Sequence, residues 1–261
     1  MAQPPSEPPA KPGELVTAVL LVAHGSSDPR AAASTRALAR AVAAQRPGLD
    51  VRTSFLDHAG PRPDAVLLDM QRLGHRSAVV VPLLLTSAFH GRIDLPAVID
   101  RAVSSGLSMR VYVTDVLGPV GGVVPPLLVA ALRRQLPAVE ADGVVMIAAG
   151  TRDDLARHTV DLTAAELGRS LGLPCRAAFA SGSPVTGAVA VSALRAGGCA
   201  RVAISSYFLA PGKLHEAAVA SAVSAGALEP AAPPLGCALD LARLVVARIG
   251  RVSPETVDLA A

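Results

Sequence analysis

Aromatic side chains are scarce in this sequence: its 261 residues hold no Trp, two Tyr and four Phe. That excludes a base-stacking nucleic-acid platform, which is built from aromatic rings. Long apolar runs are missing too. The longest, about residues 77–89 and 119–132, each contain Pro and fall short of the roughly 18–20 residues that a membrane-spanning helix needs. The first 14 residues, MAQPPSEPPAKPGE, lack the apolar core of a signal peptide and read as a disordered, Pro-rich tail. A cytoplasmic protein without membrane or nucleic-acid partners is therefore expected. The three cysteines, Cys175, Cys199 and Cys237, stand too far apart for a CxxC metal or redox motif. Buried apolar thiols are expected rather than a disulfide. Charge of one sign is not concentrated either: 24 basic and 21 acidic residues leave +3, with Arg scattered along the chain. Solvated helix faces account for this, and an anionic small molecule is compatible with it.

What remains is aliphatic. Residues of apolar type make up 51% of the chain, so a core must be packed from Val, Leu, Ala and Ile. Such a composition suits parallel strands covered by helices on both faces. The length has room for two units of about 100–150 residues each, or for one larger α/β domain.

Strand-like and helical runs alternate along the chain. The apolar run 17–23 reads as a buried strand ending in His24-Gly25-Ser26-Ser27-Asp28-Pro29, where Asp28 suits a helix N-cap and Pro29 the first helical position. A helix to about 46, a strand 50–56, a helix 63–73, a strand 78–85, a helix 94–104, a strand 109–116 and a helix 122–135 follow. The order then repeats: strand 144–149, helix 153–171, strand 175–179, helix 185–196, strand 201–209, helix 213–225 and a last helix 238–249. A fourth strand is not convincing in this half. Landmarks match between the halves in order: Gly25 with Gly150, Phe55 with Phe179, and Leu85 with Leu209 at nearly constant offset, then Leu117-Gly118 with Leu235-Gly236 at a shorter one. The chain thus reads as an α/β tandem duplication, each copy a parallel sheet of about four strands flanked by helices, with an active-site cleft between them. The expected boundaries are a tail at 1–14, a first domain at 15–138 carrying the site, a degenerate copy at 139–250 and a tail at 251–261.

Parallel sheets bind ligands beyond the carboxyl ends of their strands. His24 stands after the first strand, Asp57 and His58 after the second, and His90 after the third, past a short loop. Imidazoles and a carboxylate on one rim suit a divalent first-row metal and can accept protons near neutrality. Asp57 serves equally well as a cap for the turn before Pro61, and His58 alternates away from Asp57 and should be exposed. His75 follows a helix C-terminus, which favours a cation, and His158 lies on a helix surface. Ser26, Ser27 and Arg30 sit at a helix start, which attracts carboxylate or phosphate; either serine could instead simply cap the helix. No GxGxxG, GxxxxGK[ST] or GxSxG motif is present. Phosphatases of the phosphohistidine type carry Arg immediately before His-Gly, where this chain has Ala23.

The segments LLVAHGSSDPRA (residues 20–31), SFLDHAGPRPDAV (54–66) and VVVPLLLTSAFHGRIDLP (79–96) resemble the sirohydrochlorin chelatases, class II enzymes that insert iron or cobalt into a reduced tetrapyrrole. Long members of that family are tandem duplications. The resemblance implies metal-binding and catalytic roles for His24 and His90, with Asp57 standing where the family usually has Glu. It implies an apolar wall near Leu83, Leu84 and Phe89 for the macrocycle, with Ser26, Ser27 and Arg30 meeting its carboxylates. In the second copy Ala149, Ser181 and Leu214 replace His24, Asp57 and His90, and His215 is one position out of register. One site per chain is implied, with Fe²⁺ or Co²⁺ and sirohydrochlorin as substrates, no further cofactor, no iron–sulfur cluster and a monomer. A carrier of metal or tetrapyrrole without turnover is the alternative.

Overall fold

The structure, a computed structural model, describes residues 18–86, 95–236 and 238–252. Strands β1 (Ala18–Ala23), β2 (Asp50–Phe55), β3 (Ser77–Pro82) and β4 (Arg110–Val113) form a parallel sheet in the order β2-β1-β3-β4. Strands β5 (Gly143–Ala148), β6 (Cys175–Phe179) and β7 (Val202–Tyr207) form a second parallel sheet in the order β6-β5-β7. In both sheets the first strand of the copy lies between the second and third, so the two copies share one topology.

The helices are α1 (Pro29–Gln45), α2 (Pro63–Arg72), α3 (Leu95–Ser104) and α4 (Pro126–Gln135) in the first copy. The second copy has α5 (Asp154–Leu171), α6 (Gly187–Ala196), α7 (Lys213–Ser224) and α8 (Leu239–Ile249). Helix α4 starts four residues later than the sequence suggests. Gly121 and Gly122 take positive φ, and the Pro125-Pro126 pair steers its surroundings away from helix until Pro126 can occupy the first turn.

The second copy's missing strand has a physical cause. Residues 228–236 run beside β7, where β4 lies in the first copy. Leu228 N–H donates to Val202 O (2.7 Å), Ala232 N–H to Ile204 O (2.9 Å) and Leu235 N–H to Phe208 O (2.7 Å). Pro230, Pro233 and Pro234 have no N–H to continue the ladder. The Leu235 bond reproduces that of Leu117 N–H to Leu84 O (2.9 Å), so the landmark pair Leu117/Leu235 marks one structural position.

Strand side chains alternate between faces, and the core divides accordingly. Leu20 and Val80 pack with Leu67, Met70 and Ile99 on the outer side of the first sheet. Ile147 and Ile204 do the same with Val191 on the second. Val19, Leu21, Val144 and Met146 face a shared interior with Leu38, Leu128, Leu132, Leu167, Leu241 and Val245. Each large aliphatic side chain so buried contributes about 1.5–3 kcal/mol. The last helices of the two copies are exchanged across this interior: α4 packs on α5 and β7 of the second copy, and α8 packs on α1 and β3 of the first. Buried polar groups fix the exchange. Arg248 of α8 donates to Gly118 O (3.1 Å), and the buried carboxylate of Asp240 accepts from Arg134 of α4 (2.8 Å).

Candidate active site

The carboxyl ends of β1 and β2 are tied together by main chain. Leu56 N–H donates to Ala23 O (2.9 Å) and Asp57 N–H to His24 O (2.8 Å). The turn between them is tight enough to require glycine at 25. Its φ is +97°, and a Cβ there would lie 1.8 Å from Asp57 O. His24 and Asp57 are thereby held side by side at the rim. His24 is exposed. Below them α1 begins as expected: Asp28 accepts from Arg30 N–H (2.9 Å), and Ser26 Oγ accepts from Asp28 N–H (3.1 Å).

His58 departs from its expected orientation. Strand β2 ends at Phe55, so strand alternation does not reach position 58. Instead His58 adopts φ +58°, which turns its ring back toward the site. It stays exposed, as expected, but its Nε2 lies 3.5 Å from Asp57 Oδ2. Its ring stands edge-on to that of His24, centroids 6.3 Å apart. Asp57 Oδ1 accepts the His58 N–H (2.8 Å). That bond first, then the charges of His58, His24 and Arg62, hold the Asp57 carboxyl below the usual range. Asp57 is therefore an anion at neutral pH.

A cavity of about 890 Å³ opens between the two copies, lined by His24, Ser26, Ser27, Arg30, Leu83, Leu84 and Leu85 from the first. The second copy lines it with Phe179, Tyr207, Lys213, Leu214 and His215, among others. Five residues expected to meet a substrate (Ser26, Ser27, Arg30, Leu83 and Leu84) thus face one space. Arg30 also bridges the copies, pairing with Asp28 and with Glu216 (2.6 Å). Asp57 and His58 are exposed and lie outside this lining. Among the described residues no three metal-binding side chains are grouped closely enough to hold an ion. Phe89 and His90 lie outside the described residues.

The second copy repeats the turn without its chemistry. Gly150 has φ +98°, and a Cβ there would meet Ser181 O at 1.9 Å. Ala149 therefore holds the place of His24, Ser181 that of Asp57, and Gly182 that of His58. His215 is half-buried against the edge of Phe208, ring centroids 5.2 Å apart. The Ser206 hydroxyl gives its proton to Ala232 O (2.6 Å). His215 Nε2, at 3.0 Å, must then donate to Ser206 Oγ, leaving Nδ1 as the acceptor. Burial pushes the His215 pKa down.

The other histidines and thiols among the described residues do not line this cavity. His75 meets Asp50 at 3.1 Å, and His158 is exposed on α5. Burial pushes the Cys175 thiol up to about 12, and Cys199 is buried and free. Cys237 lies outside the described residues.

The CbiX family model matches residues 18–136 and again residues 143–252. The chain belongs to the CbiX family. The double match places one family unit on each copy, in agreement with the duplication read from the sequence. No curated protein matches the chain in sequence. Among solved structures, SirB from Bacillus subtilis with Fe³⁺ is similar at 23% identity and a TM-score of 0.75, over 89% of this chain and 94% of that one. The sirohydrochlorin chelatase SirB from Bacillus subtilis subspecies spizizenii, in complex with cobalt, gives 22% identity and 0.73, over 89% and 93%. CbiX described as the terminal enzyme for sirohaem biosynthesis in denitrifying bacteria gives 20% and 0.58, over 90% and 99%. These likenesses show that the CbiX chain shares their fold. No helix among the described residues is long and apolar enough to cross a membrane.

Proposed function

We propose that this protein is a sirohydrochlorin chelatase that inserts Fe²⁺ or Co²⁺ into the macrocycle with release of two protons. The observation that carries this reading is the position of His24, at the lip of the 890 Å³ cavity and beside the Asp57 carboxylate. That volume lies near the top of the ~300–1,000 Å³ range of small-molecule sites, as a large flat ligand requires. Leu83, Leu84 and Phe179 offer apolar walls to the ring, joined in this reading by Phe89. Ser26, Ser27, Arg30 and Lys213 offer donors to its carboxylates. The structural relatives, SirB with Fe³⁺ and the sirohydrochlorin chelatase SirB with cobalt, support the same reading.

Insertion replaces two pyrrole N–H protons by one divalent ion. An imidazole can serve both sides of that exchange in turn. His24 first offers its lone pair to the ion; once the ion has moved into the macrocycle, the same lone pair accepts a proton. In this reading His90 shares the same two roles, and the anionic Asp57 attracts the cation and steadies the charged imidazole. Metal transfer from an aquo ion needs no further cofactor. We take the protein to be a cytoplasmic monomer organised as 15–138 and 139–250, since the second copy supplies the wall that a partner subunit would.

Anaerobic insertion, followed by the visible spectrum of the macrocycle with Fe²⁺ and Co²⁺ separately, tests this. Multiple turnovers are expected, with a loss of about 10²-fold or more in His24→Ala and in His90→Ala. Full activity in both variants would overturn the site, and stoichiometric uptake without turnover would indicate a carrier.

A further inference from the structure

Positions 58 and 182 are one place in the two copies. Each follows the residue whose carbonyl oxygen abuts the turn glycine, Asp57 or Ser181. Each has a left-handed backbone, φ +58° at His58 and +68° at Gly182. The second copy fills the position with glycine, to which that conformation comes easily; a residue with a Cβ is strained there. Among the described residues His58 is the only non-glycine with positive φ. Its side chain is 53% exposed, so burial offers little to offset the strain. What the conformation achieves is placement. It brings a second imidazole next to His24 and the Asp57 carboxylate, at solvent-exposed positions that do not line the cavity.

We propose that His58 is the first protein ligand of the incoming divalent ion, taking it from water together with Asp57 and passing it to His24 at the cavity lip. Imidazole nitrogen and carboxylate oxygen suit first-row divalent ions. At a metal–nitrogen distance of about 2.1 Å, two imidazoles sharing an ion have centroids roughly 4.5–5 Å apart. The observed 6.3 Å is wider by roughly 1.3–1.8 Å, which side-chain rotation of two exposed rings can close. The arrangement is thus a hand-over site and not a closed chelate. That is the useful property: an ion held too firmly by the protein would not leave for the macrocycle. The inference takes its destination for the ion from the chelatase reading, while capture itself is a property of the protein alone.

The test is an anaerobic Co²⁺ titration of the full chain without tetrapyrrole, read by visible absorption, beside thermal melts. His58→Gly is expected to weaken Co²⁺ binding about tenfold and to raise Tm by about 2–4 °C through relief of the strained φ. His58→Asn, which tolerates this backbone region, should show the same loss of affinity. In insertion assays His58→Gly should raise the metal KM more than it lowers kcat. Unchanged Co²⁺ affinity in both variants would overturn the proposal, as would a lower Tm in His58→Gly, which would make the ring a packing element. Co²⁺ binding that depends on His58 in a protein that inserts no metal would sink the chelatase reading and leave this one standing.

Discussion

The two copies agree in their backbones and disagree in their rims. Gly25 and Gly150 make the same turn against the same carbonyl, and Asp28 and Asp153 cap the same helix start. At the strand ends one copy presents His24, Asp57 and His58, and the other Ala149, Ser181 and Gly182. The histidine the second copy does bring to the cavity, His215, is half-buried and donates to Ser206, whereas His24 and His58 are open to solvent. Turn geometry therefore belongs to the fold, and a chemical rim can be lost without disturbing it.

The largest effect should come from testing that shared geometry. Gly25→Ala and Gly150→Ala each place a Cβ against a carbonyl oxygen in a left-handed turn, and each is expected to cost about 3 kcal/mol or more in urea unfolding. The two losses should match within about 1 kcal/mol; tolerance of alanine at one position alone would break the equivalence of the copies.

A smaller effect separates the histidines. The ring of His215 stays neutral in the folded protein to lower pH than in the unfolded chain, where its pKa is about 6.5. As pH falls through about 6.5 the unfolded state takes up a proton that the folded state does not, so stability falls until the lowered folded pKa is passed. Wild type should therefore lose more stability between pH 7.5 and 5.5 than His215→Asn does. Equal slopes would show that His215 is not held neutral.

The smallest effect is expected where the copies touch in water. Arg30 and Glu216 are both more than half exposed, and such pairs contribute little. Glu216→Ala should move Tm by no more than about 1–2 °C.

Much of this was legible in the sequence because it is written in strong local signals. Asp28-Pro29 announces a helix start, and the apolar run to Ala23 announces a buried strand with His24 beyond it. The duplication was legible because glycine is demanded at 25 and 150 for the same steric reason. The ring of His58 was misdirected because period-2 alternation was carried past Phe55, where the strand stops. A signal was present: the repeat puts Gly182 opposite His58, and a position that takes glycine in one copy marks a left-handed backbone. The cavity wall from the second copy was largely illegible. Tyr207 and Lys213 reach it through the packing of one copy on the other, which no local pattern records.

The exchange of α4 and α8 sets an order on folding. During synthesis α1 and β3 emerge early, with Leu38 and Val42 in need of an apolar cover. That cover is α8, some 190 residues further along the chain. The first copy, which carries His24 and Asp57, thus cannot close its core until almost all of the second has been made. A copy whose own rim carries Ala149, Ser181 and Gly182 thereby decides when the copy that carries His24 becomes a folded protein.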